Sequence, residues 1–200
     1  FSHYLMIVEG PCDLLLFQEL FQNVKGHLKY ELLTDLYTTV EYGHDILTKD
    51  MWKEALKERT SDNRDAIRGD NPILTIYRGQ ASGSTDVTKA LSWTLRFSTA
   101  LFFASRYTTD DVVLYKANVR REDVIDFFEG RNEAEVVIFP ENIFNIEKLE
   151  QYSSKEVIER LTKSRITDEF VLYRNTFILN NAKYKKLKHH NSMHAQRVLL

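Results

Sequence analysis

The spacing of the hydrophobic residues changes at Pro72, and this change constrains the fold more than any other feature of the sequence. Before Pro72, leucines and aromatic residues recur every three or four positions, which is the period of an amphipathic helix. After it, β-branched and aromatic residues form short runs separated by polar breakers, which is typical of strands. Because these runs do not alternate strictly with helices, the sequence predicts an α+β fold.

Residues 1–70 are predicted to form an N-terminal helical region. The leucines between Leu14 and Leu36 follow the helical period, and Met51 belongs to a further segment with the same spacing. Asp50 stands directly before Met51, and it is the predicted N-cap of that helix.

The residues after Pro72 are predicted to form a split, mixed β-sheet core over residues 72–150. The predicted strands occupy residues 73–77, 90–94, 112–119, 124–128, 133–139 and 143–149, and the predicted helices occupy residues 98–106 and about 153–163. Residues 151–200 form a C-terminal extension with a basic tail, so all 200 residues are predicted to belong to one domain.

Composition excludes several classes of protein. The 12 Phe, 10 Tyr and 2 Trp residues are enough to fill a core, which argues against disorder of the whole chain. No apolar run approaches the ~18 residues that span a bilayer, so no membrane partner is predicted. Cys12 is the only cysteine, which excludes a disulfide scaffold and a thiolate zinc cluster. A chain without disulfides fits a reducing compartment, and we therefore expect a cytoplasmic location.

Charge is concentrated at the C-terminal end of the chain. Residues 170–200 contain six Lys or Arg residues and no Asp or Glu, although the formal net charge of the whole chain is −2. This asymmetry predicts either an acidic partner, such as nucleic acid or an acidic protein face, or a solvated end without a partner.

Three short polar patterns follow one another in the second part of the chain, each next to a predicted strand. They are Tyr77-Arg78-Gly79, then Ser92-Trp93-Thr94 followed by a helix, and then Glu133-Ala134-Glu135 leading into an apolar run. Taken singly, each pattern is common in proteins. Their order and their structural context make the combination more specific.

Together these patterns resemble the Arg–Ser–Glu class of mono-ADP-ribosyltransferases, the family that includes cholera toxin and the clostridial binary toxins. The resemblance covers about residues 73–146 and implies the split β core of that family. It also implies an enzyme that uses NAD as a substrate, without a metal ion. Such an enzyme transfers ADP-ribose to a macromolecular acceptor and releases nicotinamide.

The resemblance implies a catalytic role for four side chains. Arg78 binds the phosphate and ribose of NAD, and a guanidinium suits bidentate contact with a phosphate. Ser92 orients the catalytic carboxylate of Glu135, which stabilises the positive charge that develops on the ribose. Glu133 and Glu135 lie two positions apart, so both face one cleft if the strand includes them, and Glu133 then serves as the base for the acceptor.

Four further residues complete the predicted NAD site. Gly79 lacks a Cβ, so its backbone is expected to lie close to the nicotinamide amide. Thr94 is expected beside Ser92 on one side of the strand. Its alternative role is that of a strand-end hydroxyl that satisfies the backbone. Phe97 and Phe102 are candidates to stack on nicotinamide, and their alternative is a place in the core.

The acceptor stays open between two classes. A Glu-x-Glu pattern goes with arginine-directed members of the family, which makes a protein arginine the first candidate. A nucleic acid base is the second, favoured by the basic tail and by Lys116, Arg120, Arg121 and Arg131. The loop of residues 128–132 stands where the family keeps its acceptor-recognition turn, and we expect it to reorder on binding.

The resemblance extends to biological partners. Small enzymes of this type are often bacterial or phage effectors and toxins, which implies a neutralising antitoxin or immunity protein. A hypothesis from another class is a non-catalytic module that binds NAD or another protein through a degenerate form of the same fold.

Overall fold

The computed structural model of this chain describes residues 11–40, 43–80, 84–105, 112–130 and 133–152. The chain divides into two compact units, Phe1–Asp62 and Asn63–Leu200. The first is helical and the second is built on a β-sheet, so the predicted α+β class is confirmed. Within these described ranges, no helix is long and apolar enough to cross a membrane. The helix predicted at about 153–163 and the basic tail lie outside them.

The described residues of the first unit form three α-helices with apolar sides. They are α1 (Pro11–Leu20), α2 (Leu28–Thr39) and α3 (Lys49–Leu56). Their apolar sides bury the large residues that set the helical period in the sequence, among them Leu14, Phe17, Leu33, Leu36 and Trp52. The predicted N-cap of α3 is wrong, because the hydroxyl of Thr48 accepts the hydrogen bond from the backbone N–H of Met51 at 3.3 Å. Asp50 lies in the first turn instead, where a negative charge suits the helix dipole.

The described residues of the second unit form a six-stranded sheet. Its strands are β1 (Ile73–Gln80), β2 (Ser92–Thr94), β3 (Val112–Arg120), β4 (Val124–Phe128), β5 (Glu135–Ile138) and β6 (Ile143–Tyr152), and α4 (Phe97–Ser105) lies between β2 and β3 in sequence. The strand order is β4-β5-β2-β1-β3-β6, and each of these pairings is antiparallel. The predicted split, mixed sheet is therefore not what the described residues form. The neighbours β4 and β5 are joined by residues 129–134, and such a short connection favours an antiparallel pair, because parallel pairs need longer crossovers.

Two apolar clusters cover this sheet. One gathers residues of β1, β2, β3, β4 and β5, including the fully buried Ile76, Val119 and Val136. The other is formed by α4 with β3, and it includes Ala100, Leu101 and Leu114. The sheet is thus a packed support for polar side chains at the ends of its short central strands.

Candidate active site

The pairing of β2 brings distant polar residues onto one face of the sheet. Thr94 lies opposite Tyr77 of β1 and opposite Glu135 of β5. Directly opposed residues in an antiparallel pair project to the same face, and residues two apart along a strand do so as well. Ser92, Thr94 and Glu135 therefore emerge on a common face, as the sequence predicted for Ser92 and Thr94.

Hydrogen bonds join the three residues that the sequence placed at the centre of the site. The hydroxyl of Ser92 donates to Oε1 of Glu135 at 2.5 Å. Nη1 of Arg78 donates to the backbone carbonyl of Ser92 at 2.6 Å. The structure therefore brings Arg78, Ser92 and Glu135 together, although 14 and 43 positions separate Ser92 from the other two.

The contact between Ser92 and Glu135 controls the direction of the carboxylate. A serine hydroxyl has a single donor, and here it is used on Glu135. Hydrogen bonds to a charged acceptor are short and about twice as strong as neutral ones. Because both side chains are half-buried, the carboxylate is held in place at a position that solvent and ligands still reach. Such a fixed negative charge can stabilise a cation or accept a hydrogen bond from a hydroxyl group.

Thr94 takes the alternative role that the sequence left open for it. Its hydroxyl donates to the carbonyl of Glu133 at 2.6 Å and accepts from the N–H of Arg96 at 3.0 Å. The residue is only 6% exposed, and its one donor is used within the protein. Its predicted place as a ligand of NAD is therefore corrected to a structural role beside Ser92 and Glu135.

Glu133 does not belong to the strand that carries Glu135. β5 begins at Glu135, and the intervening Ala134 has a φ of 45° in the left-handed region. The strand predicted to begin at Glu133 is therefore wrong at its start, and the alternation argument for a shared face no longer applies; the role of Glu133 as a base stays a prediction. Glu133 is 7% exposed, and its carbonyl is held by Thr94.

Gly79 is required for packing inside the protein. A Cβ at this position would lie 2.0 Å from the carbonyl oxygen of Ala100 and 2.6 Å from the Cβ of Ala104. The close approach that glycine permits is thus to α4, and the contact of the Gly79 backbone with nicotinamide stays a prediction. Sequence reasoning missed this packing, and its signal was the pair of alanines one helical turn apart.

The two predicted stacking residues have different environments. Phe102 is 5% exposed and belongs to the cluster of α4 and β3, so its core alternative is confirmed and the stacking prediction is corrected. Phe97 is half-buried, and its ring packs edge-on against Tyr77 with centroids 5.6 Å apart. Phe97 remains a prediction for the nicotinamide contact.

The basic residues predicted near the cleft lie in different environments. The guanidinium of Arg121 donates to the carbonyls of Ile67, Arg68 and Asn71, at 3.1 to 3.3 Å, so it anchors the segment before β1. Lys116 of β3 is half-buried and is paired with Tyr77 of β1. Arg131 and the tail lie outside the described residues.

Arg120 is the last residue of β3, and it lies beside the end of β1 that is distant from Arg78. It is paired with Ile73 and lines a groove of about 340 Å³ together with Asp123, Glu141, Asn142 and Phe144. None of the residues that line this groove belongs to the Arg78–Ser92–Glu135 set. We therefore locate the candidate site by its hydrogen bonds rather than by this groove.

These side chains can bind phosphate and hydroxyl groups of a ligand. A guanidinium offers donors for phosphate oxygens, and a carboxylate accepts from ribose hydroxyls. In the part of the chain that the structure describes, no group of three His, Cys, Asp or Glu side chains is arranged to hold a metal ion.

Comparisons with family models, with curated proteins and with solved structures each found no match to this chain.

Proposed function

We propose that this chain is a mono-ADP-ribosyltransferase that moves ADP-ribose from NAD to a macromolecular acceptor and releases nicotinamide. The observation that carries the proposal is the 2.5 Å hydrogen bond from Ser92 to Glu135, in a site that also contains Arg78. The resemblance to the Arg–Ser–Glu class required these three side chains to converge, and nothing in their separation along the chain guaranteed it.

The chemistry of NAD cleavage explains why such a carboxylate is useful. Breaking the bond between ribose and nicotinamide passes through a species resembling an oxocarbenium ion, as in sugar hydrolysis. Glu135 accepts a hydrogen bond from the ribose 2′-hydroxyl and stabilises the growing positive charge. A preorganised charge of this kind supplies about 3–4 kcal/mol, and each ~1.4 kcal/mol is a tenfold change in rate.

In the transfer step, a nitrogen of the acceptor replaces nicotinamide on the ribose. The C1′–N bond to nicotinamide breaks, and nicotinamide leaves as a neutral molecule with the electron pair of that bond. A new C1′–N bond forms to a nitrogen of the acceptor, whose proton passes to Glu133. A protein arginine is the first acceptor, because a guanidinium is permanently charged and a carboxylate is its natural partner. A nucleobase amine fits the same steps and is the alternative.

Incubation with labelled NAD tests this proposal. The purified chain is added to a whole-cell lysate, and the products are separated into protein, nucleic acid and small molecules. We expect label in the protein fraction and an equal amount of free nicotinamide. Label confined to nucleic acid would replace the arginine acceptor with a base. Absence of label from both fractions, with no nicotinamide released, would overturn the proposed enzymatic function and favour a non-catalytic module.

A further inference from the structure

Three consecutive residues contact both ends of the connection between β4 and β5. Thr94 donates through its hydroxyl to the carbonyl of Glu133 at 2.6 Å, and the N–H of Leu95 donates to the carbonyl of Ala134 at 3.0 Å. The guanidinium of Arg96 forms an ion pair with Glu129 at the start of the same connection. We refer to residues 94–96 as the clamp.

The Thr94 hydroxyl is the central contact of the clamp. It accepts a hydrogen bond from the Arg96 N–H and donates one to the carbonyl of Glu133. One buried hydroxyl therefore connects the residue before α4 with the residues before β5. Valine has nearly the shape of threonine but neither a donor nor an acceptor, and its introduction leaves the buried carbonyl of Glu133 without this bond. Serine keeps the hydroxyl.

The clamp holds a strained piece of backbone. Ala134 has a φ of 45°, which residues other than glycine adopt rarely and at a cost. Such a conformation persists only where the surrounding structure enforces it, and here the carbonyls of Glu133 and Ala134 are both held by the clamp. Because Ala134 separates Glu133 from Glu135, its conformation decides how the two carboxylates are placed relative to each other.

Glu135 has an independent support. Its carboxylate is oriented by Ser92, and its backbone is paired with Thr94 in the sheet. Loss of the Thr94 hydroxyl therefore acts first on Glu133 and on the connection before it. The two halves of the proposed reaction depend on different parts of the structure, with NAD cleavage at Glu135 and acceptor activation at Glu133.

We propose that Thr94 is a positioning residue for the acceptor side of the site, and that its hydroxyl determines how much ADP-ribose passes to the acceptor rather than to water. This inference rests on the proposed function. It assigns Thr94 to the partition between transfer and hydrolysis, and not to the binding of NAD.

The test measures two rates for each variant. Nicotinamide release without acceptor reports NAD cleavage, and label incorporated in the presence of acceptor reports transfer. For Thr94→Val we expect the ratio of transfer to hydrolysis to fall about tenfold, the effect of one lost hydrogen bond, while hydrolysis changes less than about threefold. Thr94→Ser is expected to restore the ratio. Thr99→Val is the matched control, because Thr99 is equally buried on α4 and is not part of the clamp.

A second variant and a second measurement cover the case in which Thr94→Val does not fold. Arg96→Met removes the exposed ion pair with Glu129, and we expect a smaller fall of the same ratio, about twofold to threefold, as for surface ion pairs. Amide hydrogen exchange is expected to rise over residues 128–136 in Thr94→Val and Arg96→Met, and to stay unchanged in Thr94→Ser.

The outcomes separate this inference from the proposed function. An active wild-type protein whose ratio is the same in Thr94→Val, Arg96→Met and wild type overturns the inference alone. Equal losses of transfer and hydrolysis in Thr94→Val also overturn it, because they indicate a general structural role. A wild-type protein that releases no nicotinamide overturns the proposed function, and the inference falls with it.

Discussion

Ser92 takes part in two contacts at once, through different atoms. Its carbonyl accepts from Arg78, and its hydroxyl donates to Glu135, so the cation and the acid of the proposed site are connected through one residue. A change at any of the three side chains is therefore expected to affect the other two. Substitutions that preserve shape distinguish loss of charge from loss of packing.

Glu135→Gln keeps the size of the side chain and removes its negative charge. We expect nicotinamide release and transfer to fall together, by about 10²–10³, because the charge acts in the transition state and not in the ground state. NAD affinity is expected to change less than about threefold, since uniform binding is largely retained. Glu147→Gln, an exposed position on β6, is the control. Equal losses in both variants would contradict the assigned role.

Among the larger elements, α4 packs closely against β1 because Gly79 of β1 has no side chain. Ala100 and Ala104 present small side chains on one side of the helix, and Gly79 presents none on the strand. This contact brings the helix against the strand that also carries Arg78. The glycine of the Arg78-Gly79 pattern thus supports the site through packing.

Gly79→Ala is expected to destabilise the sheet-containing unit by about 2–3 kcal/mol or more, because the obstructing atoms belong to the backbone and to a buried alanine. Chemical unfolding followed by circular dichroism measures this change. Gly130→Ala is the control, since a Cβ there meets nothing within 4 Å. A Gly79→Ala protein as stable as the control would show that α4 is not packed against β1.

A second contact between elements makes the helical unit sensitive to pH. Lys29 of α2 is largely buried, lies over the ring of Phe21 and forms an ion pair with Glu54 of α3. The hydrogen bond from Lys29 holds the pKa of the Glu54 carboxyl below its usual value. A carboxyl with a lowered folded pKa stabilises the fold above its unfolded pKa of about 4.3, and this stability is lost as pH falls through the folded value.

Glu54→Gln should therefore be less stable than wild type at pH 7, and the difference between the two should shrink toward pH 3. Urea unfolding monitored by circular dichroism at the two pH values measures this. Glu58→Gln, an exposed position just beyond α3, serves as the comparison. A difference for Glu54→Gln that is constant with pH would mean that the ion pair contributes nothing through its charge.

For the molecule as a whole, binding of NAD is expected to stabilise the fold by mass action. At about 100 times its dissociation constant, a ligand that binds only the folded state adds ~2.7 kcal/mol, which raises the melting temperature of a chain of this size by about 5–10 °C. Arg78→Met should abolish most of this shift. Arg68→Met, at an exposed position, should retain it. A shift that is identical in both variants would place NAD elsewhere on the protein.

Much of the organisation followed from the sequence because periodicity is local. The helical spacing before Pro72 and the strand runs after it predicted most elements to within a few residues, and the three polar patterns predicted that Arg78, Ser92 and Glu135 lie together. The prediction of β5 began two residues too early, because Glu133-Ala134-Glu135 reads as a continuous strand and nothing local reveals the left-handed Ala134.

The contacts between distant residues could not be predicted from the sequence. Strand register placed Glu135 opposite Thr94, the packing of α4 gave Gly79 its role, and the burial of Phe102 removed it from the predicted site. The hydroxyls of Ser92 and Thr94 lie two residues apart and share a face, yet one holds a carboxylate and the other a main-chain carbonyl. Hydrogen-bonding partners from distant parts of the chain depend on strand register and on backbone angles, and neither can be predicted from local composition.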